Sequence, residues 1–218
     1  MQLGRNRVEA LTDGVFAVAM TLLVLDIKVP ELEQAVASAE LPYRLLALWP
    51  KFLSYAISFV ILGVYWVGHH LQLSFIRSAE RPLLWIDILF LLWVALVPFS
   101  TALLSEYTKH RLAIAVYGGN MIAIGLTLAL HSWYATARRR HVDPDVHPGL
   151  VRAAMSRVLM GPLLYLVAIV LSFFSPEWSL ALCALVPILY VLPGRLDIYW
   201  GARGHAKSKP DQAAVKKS

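Results

Sequence analysis

Residues 7–30, RVEALTDGVFAVAMTLLVLDIKVP, constrain this chain more than any other stretch. No charge interrupts residues 14–25, and Asp13 and Asp26 stand at the two ends of that run. As a helix rising about 1.5 Å per residue, it places about 18 Å of apolar length between two carboxylates. A bilayer core of about 30 Å asks for roughly 20 mainly apolar residues. A helix this short in apolar length must turn Glu9, Thr12, Asp13 or Asp26 toward protein or water. On it, Val18, Leu22 and Leu25 fall at i, i+4 and i+7 on one face, with Thr21 on the adjoining edge. Spacing alone leaves two readings of that stripe open, helix packing or the gate of a pore.

The rest of the chain agrees with a membrane setting. Of its 218 residues, 58% are hydrophobic and 16% charged, well above the apolar share of about 45–50% in soluble domains. The net charge of +6 does not call for a nucleic-acid partner, because Lys and Arg gather beside apolar runs and in the C-terminal segment. Cys183, the only cysteine, excludes an intrachain disulfide and reads as a small buried side chain. Arg5, Arg7, the apolar run and Ala37-Ser38-Ala39 imitate a signal peptide, but Glu9 and Asp13 break that pattern.

Six apolar runs are predicted. After the first, residues 30–44 read as an exposed acidic loop between prolines. The second run starts at Trp49-Pro50, where proline suits a first helical turn, and ends at Gly68-His69-His70. The third covers residues 83–104, with Asp87 inside it and a kink expected at Pro98. The fourth, 112–133, carries Ala115, Gly119 and Ala123 at four-residue intervals, a small-residue stripe suited to close helix packing. A polar loop is expected over 138–149, a fifth span over 153–174 and a short sixth over 178–192. Residues 1–200 form the membrane domain in this reading, and 201–218 a basic, disordered cytoplasmic tail. Alternate sides carry 15 and 5 Lys and Arg residues, so the positive-inside rule puts both termini in the cytoplasm.

The run Arg7-Val-Glu-Ala-Leu11-Thr12-Asp13, with Trp49-Pro50-Lys51, Tyr65-Trp66-Val67-Gly68-His69-His70 and Arg81-Pro-Leu-Leu-Trp85, resembles the transmembrane protein 175 family of potassium-permeable channels. The first helix of that family opens with Arg-x-x-x-Phe-Ser-Asp, where this chain has Leu11-Thr12 for Phe-Ser. The resemblance extends over the six predicted spans and is to the bacterial members, which implies a multi-pass protein of the bacterial inner membrane. It further implies an all-α subunit with no re-entrant filter loop, assembling as a homotetramer with the first helix lining the pore. The family's three apolar pore layers then fall on Val18, Leu22 and Leu25, and its hydroxyl layer, proposed to help select potassium, on Thr21.

Arg7, Leu11, Thr12 and Asp13, with Trp66, His69, His70 and Asp87, are the expected structural network holding that helix, since a buried charge in a span needs partners. Asp87 departs from the Asn expected in many relatives. Asp26 is a candidate for enriching cations near the outer end. The adjacent pair His69-His70 invites a metal reading, but neighbours on a helix point about 100° apart, and no Cys or acid follows at ligand spacing. His141 and His147 read as exposed loop histidines. No metal or other cofactor is expected. Zinc-protease, nucleophile-elbow, phosphate-loop and dinucleotide motifs are absent, as are a Thr-Val-Gly-Tyr-Gly filter and a ladder of arginines. The missing motifs speak against an enzyme, and the family resemblance implies a leak-like potassium channel whose partners are potassium ions, lipid and its own copies. The alternative is a proton-coupled carrier using Asp13, Asp87 and the histidines.

Overall fold

A computed structural model describes residues 5–74, 81–137 and 148–191. Every element among them is helical: α1 (Arg5–Leu22), α2 (Gln34–Ala47), α3 (Trp49–Ser74), α4 (Arg81–Ala95), α5 (Val97–Glu106), α6 (Arg111–Ala137), α7 (Pro148–Leu171) and α8 (Pro176–Val191). A short 3-10 turn, Leu23–Asp26, extends α1. Four stretches are long and apolar enough to cross a bilayer: Asn6–Asp26, Trp49–Leu73, Arg81–Glu106 and Arg111–Thr136. Met155–Leu171 and Pro176–Val191 are also apolar but shorter.

The third apolar run breaks where its proline requires. Pro98 has no N–H to offer the preceding turn, and its ring crowds the carbonyl four residues back. The helix accordingly ends at Ala95 and restarts at Val97, so α4 and α5 form one bent span. Residues 30–44 differ from the expected loop, because α2 occupies most of them and carries Pro42 in its interior. An i,i+4 pair, Glu40 with Arg44 at 3.3 Å, supports that helix. Its side chains are largely exposed, so water can satisfy the backbone group that Pro42 leaves unpaired. Of the polar loop expected over 138–149, residues 138–147 lie outside the described part, and Pro148 and Gly149 already open α7. The basic segment beyond residue 191 also lies outside it.

The centre of the bundle is α6. Ala113, Ile114, Tyr117, Met121, Ile124 and Leu128 are buried along it, at the three- and four-residue steps of a helix face. Around it pack α4, α5 and α7, while α1 lies against α3 and α4. The tightest seam is α6 against α7, and its glycines differ from those of the expected stripe. A Cβ at Gly118 would lie 2.9 Å from Ile169, and one at Gly125 only 2.4 Å from the Pro162 ring, whereas one at Gly119 would meet nothing within 4 Å. Gly125→Ala is therefore expected to lower thermal stability in detergent by the equivalent of about 1–3 kcal/mol, the usual cost of overpacking against a rigid neighbour. Gly119→Ala should leave it within about 0.5 kcal/mol.

Candidate functional site

The first helix is divided lengthwise. Val8, Thr12, Phe16, Ala19 and Leu23 are buried at helical steps against the subunit. On the other side Leu11, Val18, Leu22 and Leu25 are 54%, 57%, 43% and 68% exposed, a continuous apolar stripe with nothing of its own subunit over it. Leu11, Val18 and Leu22 border a shallow apolar groove of about 440 Å³ that also takes in Ala10, Gly14, Val15, Ala19 and Ala95. Thr21 shares the exposed side. Its hydroxyl donates back to the carbonyls of Ala17 and Val18, both at 2.9 Å, so the oxygen lone pairs remain to accept.

The expected network is two networks, separated by the turn of α3. Trp66 Nε1 donates to Asp13 Oδ1 at 2.8 Å, and the Trp66 indole stacks on His70 with ring centres 5.8 Å apart. This ties the exposed side of α1 to α3. His69 points the other way: its Nε2 lies 3.0 Å from Asp87 Oδ1 on α4, and its ring stacks on Phe90 at 4.8 Å. The angle of about 100° between successive helix residues is what sends adjacent histidines to different partners. Phe90 in turn touches Phe16 of α1, with ring centres 5.9 Å apart. Thr12 is buried, and its hydroxyl has no partner among the described residues. Arg7 is exposed in the first turn of α1 and joins neither group among the described residues.

Asp87 has a second neighbour that the sequence reading did not single out. His131 of α6 sets its Nε2 3.1 Å from the same Asp87 oxygen, while its Nδ1 lies 3.0 Å from Gln72 Oε1. His69, Asp87 and His131 are each at most 3% exposed. His131 lies more than 40 residues from Asp87 in an otherwise apolar helix, and no local spacing relates the two.

At the opposite end of α1, Asp26 is half-buried and accepts a 2.5 Å hydrogen bond from Ser105 Oγ on α5. Beside this junction Lys51 and Glu106 pair at 2.9 Å. The 3-10 turn after α1 is thereby fastened to the end of α5. Trp66→Phe keeps the ring stack but removes the donor to Asp13, and is expected to cost about 1 kcal/mol in this partly exposed setting. Asp13→Asn keeps an acceptor and should cost less; thermal unfolding of the two variants side by side checks the order.

A profile of the family described as "Endosomal/lysosomal potassium channel TMEM175" matches residues 7–98. A Streptomyces collinus protein named a potassium channel is 38% identical over 189 residues, 85% of this chain and 90% of that protein. A Chamaesiphon minutus protein of the same description is 39% identical over 190 residues, 86% of this chain and 93% of that one. The crystal structure of a lysosomal potassium-selective channel TMEM175 homolog from Chamaesiphon minutus superposes with a TM-score of 0.75. It is 38% identical, over 86% of this chain and 96% of that chain.

Proposed function

The chain belongs to the TMEM175 family of channels, and we propose that it conducts potassium through a pore lined by α1, with four copies around the axis. The observation that carries this reading is the exposed apolar stripe of α1, Val18, Leu22 and Leu25, on the face opposite its packing contacts. A helix fastened to its own bundle along one side, yet bearing an unpaired apolar row along the other, suits the wall of an assembly.

In the proposed pore, rings of Val18, Leu22 and Leu25 form the constriction. An apolar ring narrower than a hydrated ion resists wetting, so an ion crosses when the ring widens or the ion sheds water. Potassium releases water more readily than sodium, which gives a weak preference without a carbonyl filter. Thr21 supports that preference, because its hydroxyl hydrogen is engaged with the helix backbone and its oxygen can face a cation. Asp26 sets a negative charge near one end of α1, though held by Ser105. The charge distribution of the sequence supports cytoplasmic termini, and the bacterial relatives support an inner-membrane location. The carrier reading requires Asp13, Asp87 and the histidines on one path, whereas Asp13 pairs with Trp66 and Asp87 lies buried among His69 and His131.

The test is potassium against sodium flux through the purified protein in liposomes. Flux should follow the potassium gradient without saturating or requiring a proton gradient. Leu22→Ala should raise conductance several-fold and lower the preference for potassium. An unchanged current in that variant would remove Leu22 from the constriction. Absence of flux from inserted, oligomeric protein would overturn the channel reading.

A further inference from the structure

Inside the bundle, away from the exposed stripe of α1, His69 of α3, Asp87 of α4 and His131 of α6 bring one ligand-capable atom each to within 4.8 Å of one another. All three side chains are buried. Their mutual hydrogen bonding is incomplete, because Asp87 Oδ2, His69 Nδ1 and His131 Nε2 have no hydrogen-bond partner among the described residues. His131 Nε2 is 3.1 Å from Asp87 Oδ1, close enough to pair but out of line for a hydrogen bond.

The reason lies in the outer contact. Gln72 Oε1, as oriented, can only accept, so His131 Nδ1 carries the hydrogen. In the neutral ring the Nε2 atom is then a bare lone pair 3.1 Å from a carboxylate oxygen, a contact that repels unless a positive charge, a proton or a metal ion, is held beside both atoms. A histidine whose second nitrogen is held by a hydrogen-bonding partner is the usual form of a metal ligand, the partner fixing tautomer and ring orientation.

We propose that His69, Asp87 and His131 form a site for one zinc ion per subunit, with Gln72 orienting His131. Two imidazole nitrogens and one carboxylate oxygen are a zinc donor set, and a water can supply the fourth position. Zinc bonds of about 2.0–2.2 Å space tetrahedral ligands about 3.4 Å apart. The Asp87 oxygen lies 3.0 and 3.1 Å from the two histidine nitrogens, so a small outward adjustment of side chains admits the ion. The cation would neutralise the buried carboxylate and clamp α3, α4 and α6 at one point. Nothing in this proposal depends on ion conduction, so it stands apart from the channel reading.

The experiment uses the full chain in detergent without an affinity tag, stripped of metal by a chelator and titrated with cobalt(II), whose d–d absorption reports tetrahedral nitrogen and oxygen ligation. The expected result is a saturable tetrahedral spectrum at one cobalt per subunit, displaced by zinc(II). Loss of that spectrum is expected in His131→Gln and in the nearly isosteric Asp87→Asn, each checked for an unchanged elution volume. Gln72→Ala should keep the spectrum and weaken affinity about 10–100-fold. The wild-type protein decides the matter even where a variant does not fold: absence of a tetrahedral spectrum would overturn the site. So would a stoichiometric spectrum that survives in a folded His131→Gln or Asp87→Asn protein, since the ion would then be held elsewhere.

Discussion

A polar side chain inside a hydrocarbon-spanning helix must find its partner within the protein, and the last turns of α3 meet that demand in two directions. Trp66, with His70 stacked on its ring, donates to the Asp13 carboxylate of α1, and His69 faces the Asp87 carboxylate of α4. The Trp66–Asp13 bond to α3 and the packing of Phe16 on Phe90 of α4 together favour one rotation of α1 about its axis, and with it which face of α1 is buried. Once Asp13 is held by Trp66 and Phe16 is packed on Phe90, Val18, Leu22 and Leu25 can only point away from the subunit. Asp26 and Ser105 hold the other end. The apolar stripe on which the proposed conduction depends is therefore set by polar contacts that themselves lie outside it.

Much of this was legible in residues 7–30. The interval between Asp13 and Asp26, too short in apolar length for a lone lipid-facing span, required inward-facing polar groups, and both carboxylates are indeed bonded to other helices. The bend at Pro98 followed from the chemistry of proline alone. Other features were out of reach for stated reasons. His131 sits in an apolar helix with no neighbour in sequence to suggest a ligand, and only the packing of α6 beside α4 brings it to Asp87. The small-residue stripe of Ala115, Gly119 and Ala123 identified a helix able to pack closely, but Gly118 and Gly125 make the close approach, seven residues apart. Periodicity names the helix without naming the neighbour toward which it turns. Over residues 30–44 the prolines and acidic residues pointed to a loop, but a helix forms there, with the Glu40–Arg44 pair among its supports.

The two histidine environments also differ in what they can exchange with their surroundings. Asp13 is exposed, and its bond to Trp66 competes with water, so it positions α1 with modest energy and leaves the helix free to adjust. Asp87 is closed off on every side by α3, α4 and α6, where an unbalanced charge is far more costly. A soft tie on α1 and a rigid one in the supporting bundle would suit the proposed constriction, whose widening requires α1 to shift against a fixed frame.

Thr21 shows how little the proposed pore would need beyond shape. Among Val18, Leu22 and Leu25 it is the one polar side chain on that face within those two turns, and its hydrogen is shared between two carbonyls of its own helix. It can therefore offer an acceptor oxygen but no donor, which favours a cation over an anion at the same level. In the proposed pore the apolar neighbours would offer an ion nothing in exchange for its water, so dehydration would set the cost of passage, and dehydration is cheaper for potassium than for sodium. A preference obtained in this way is modest, because a single hydroxyl per subunit replaces only part of a hydration shell.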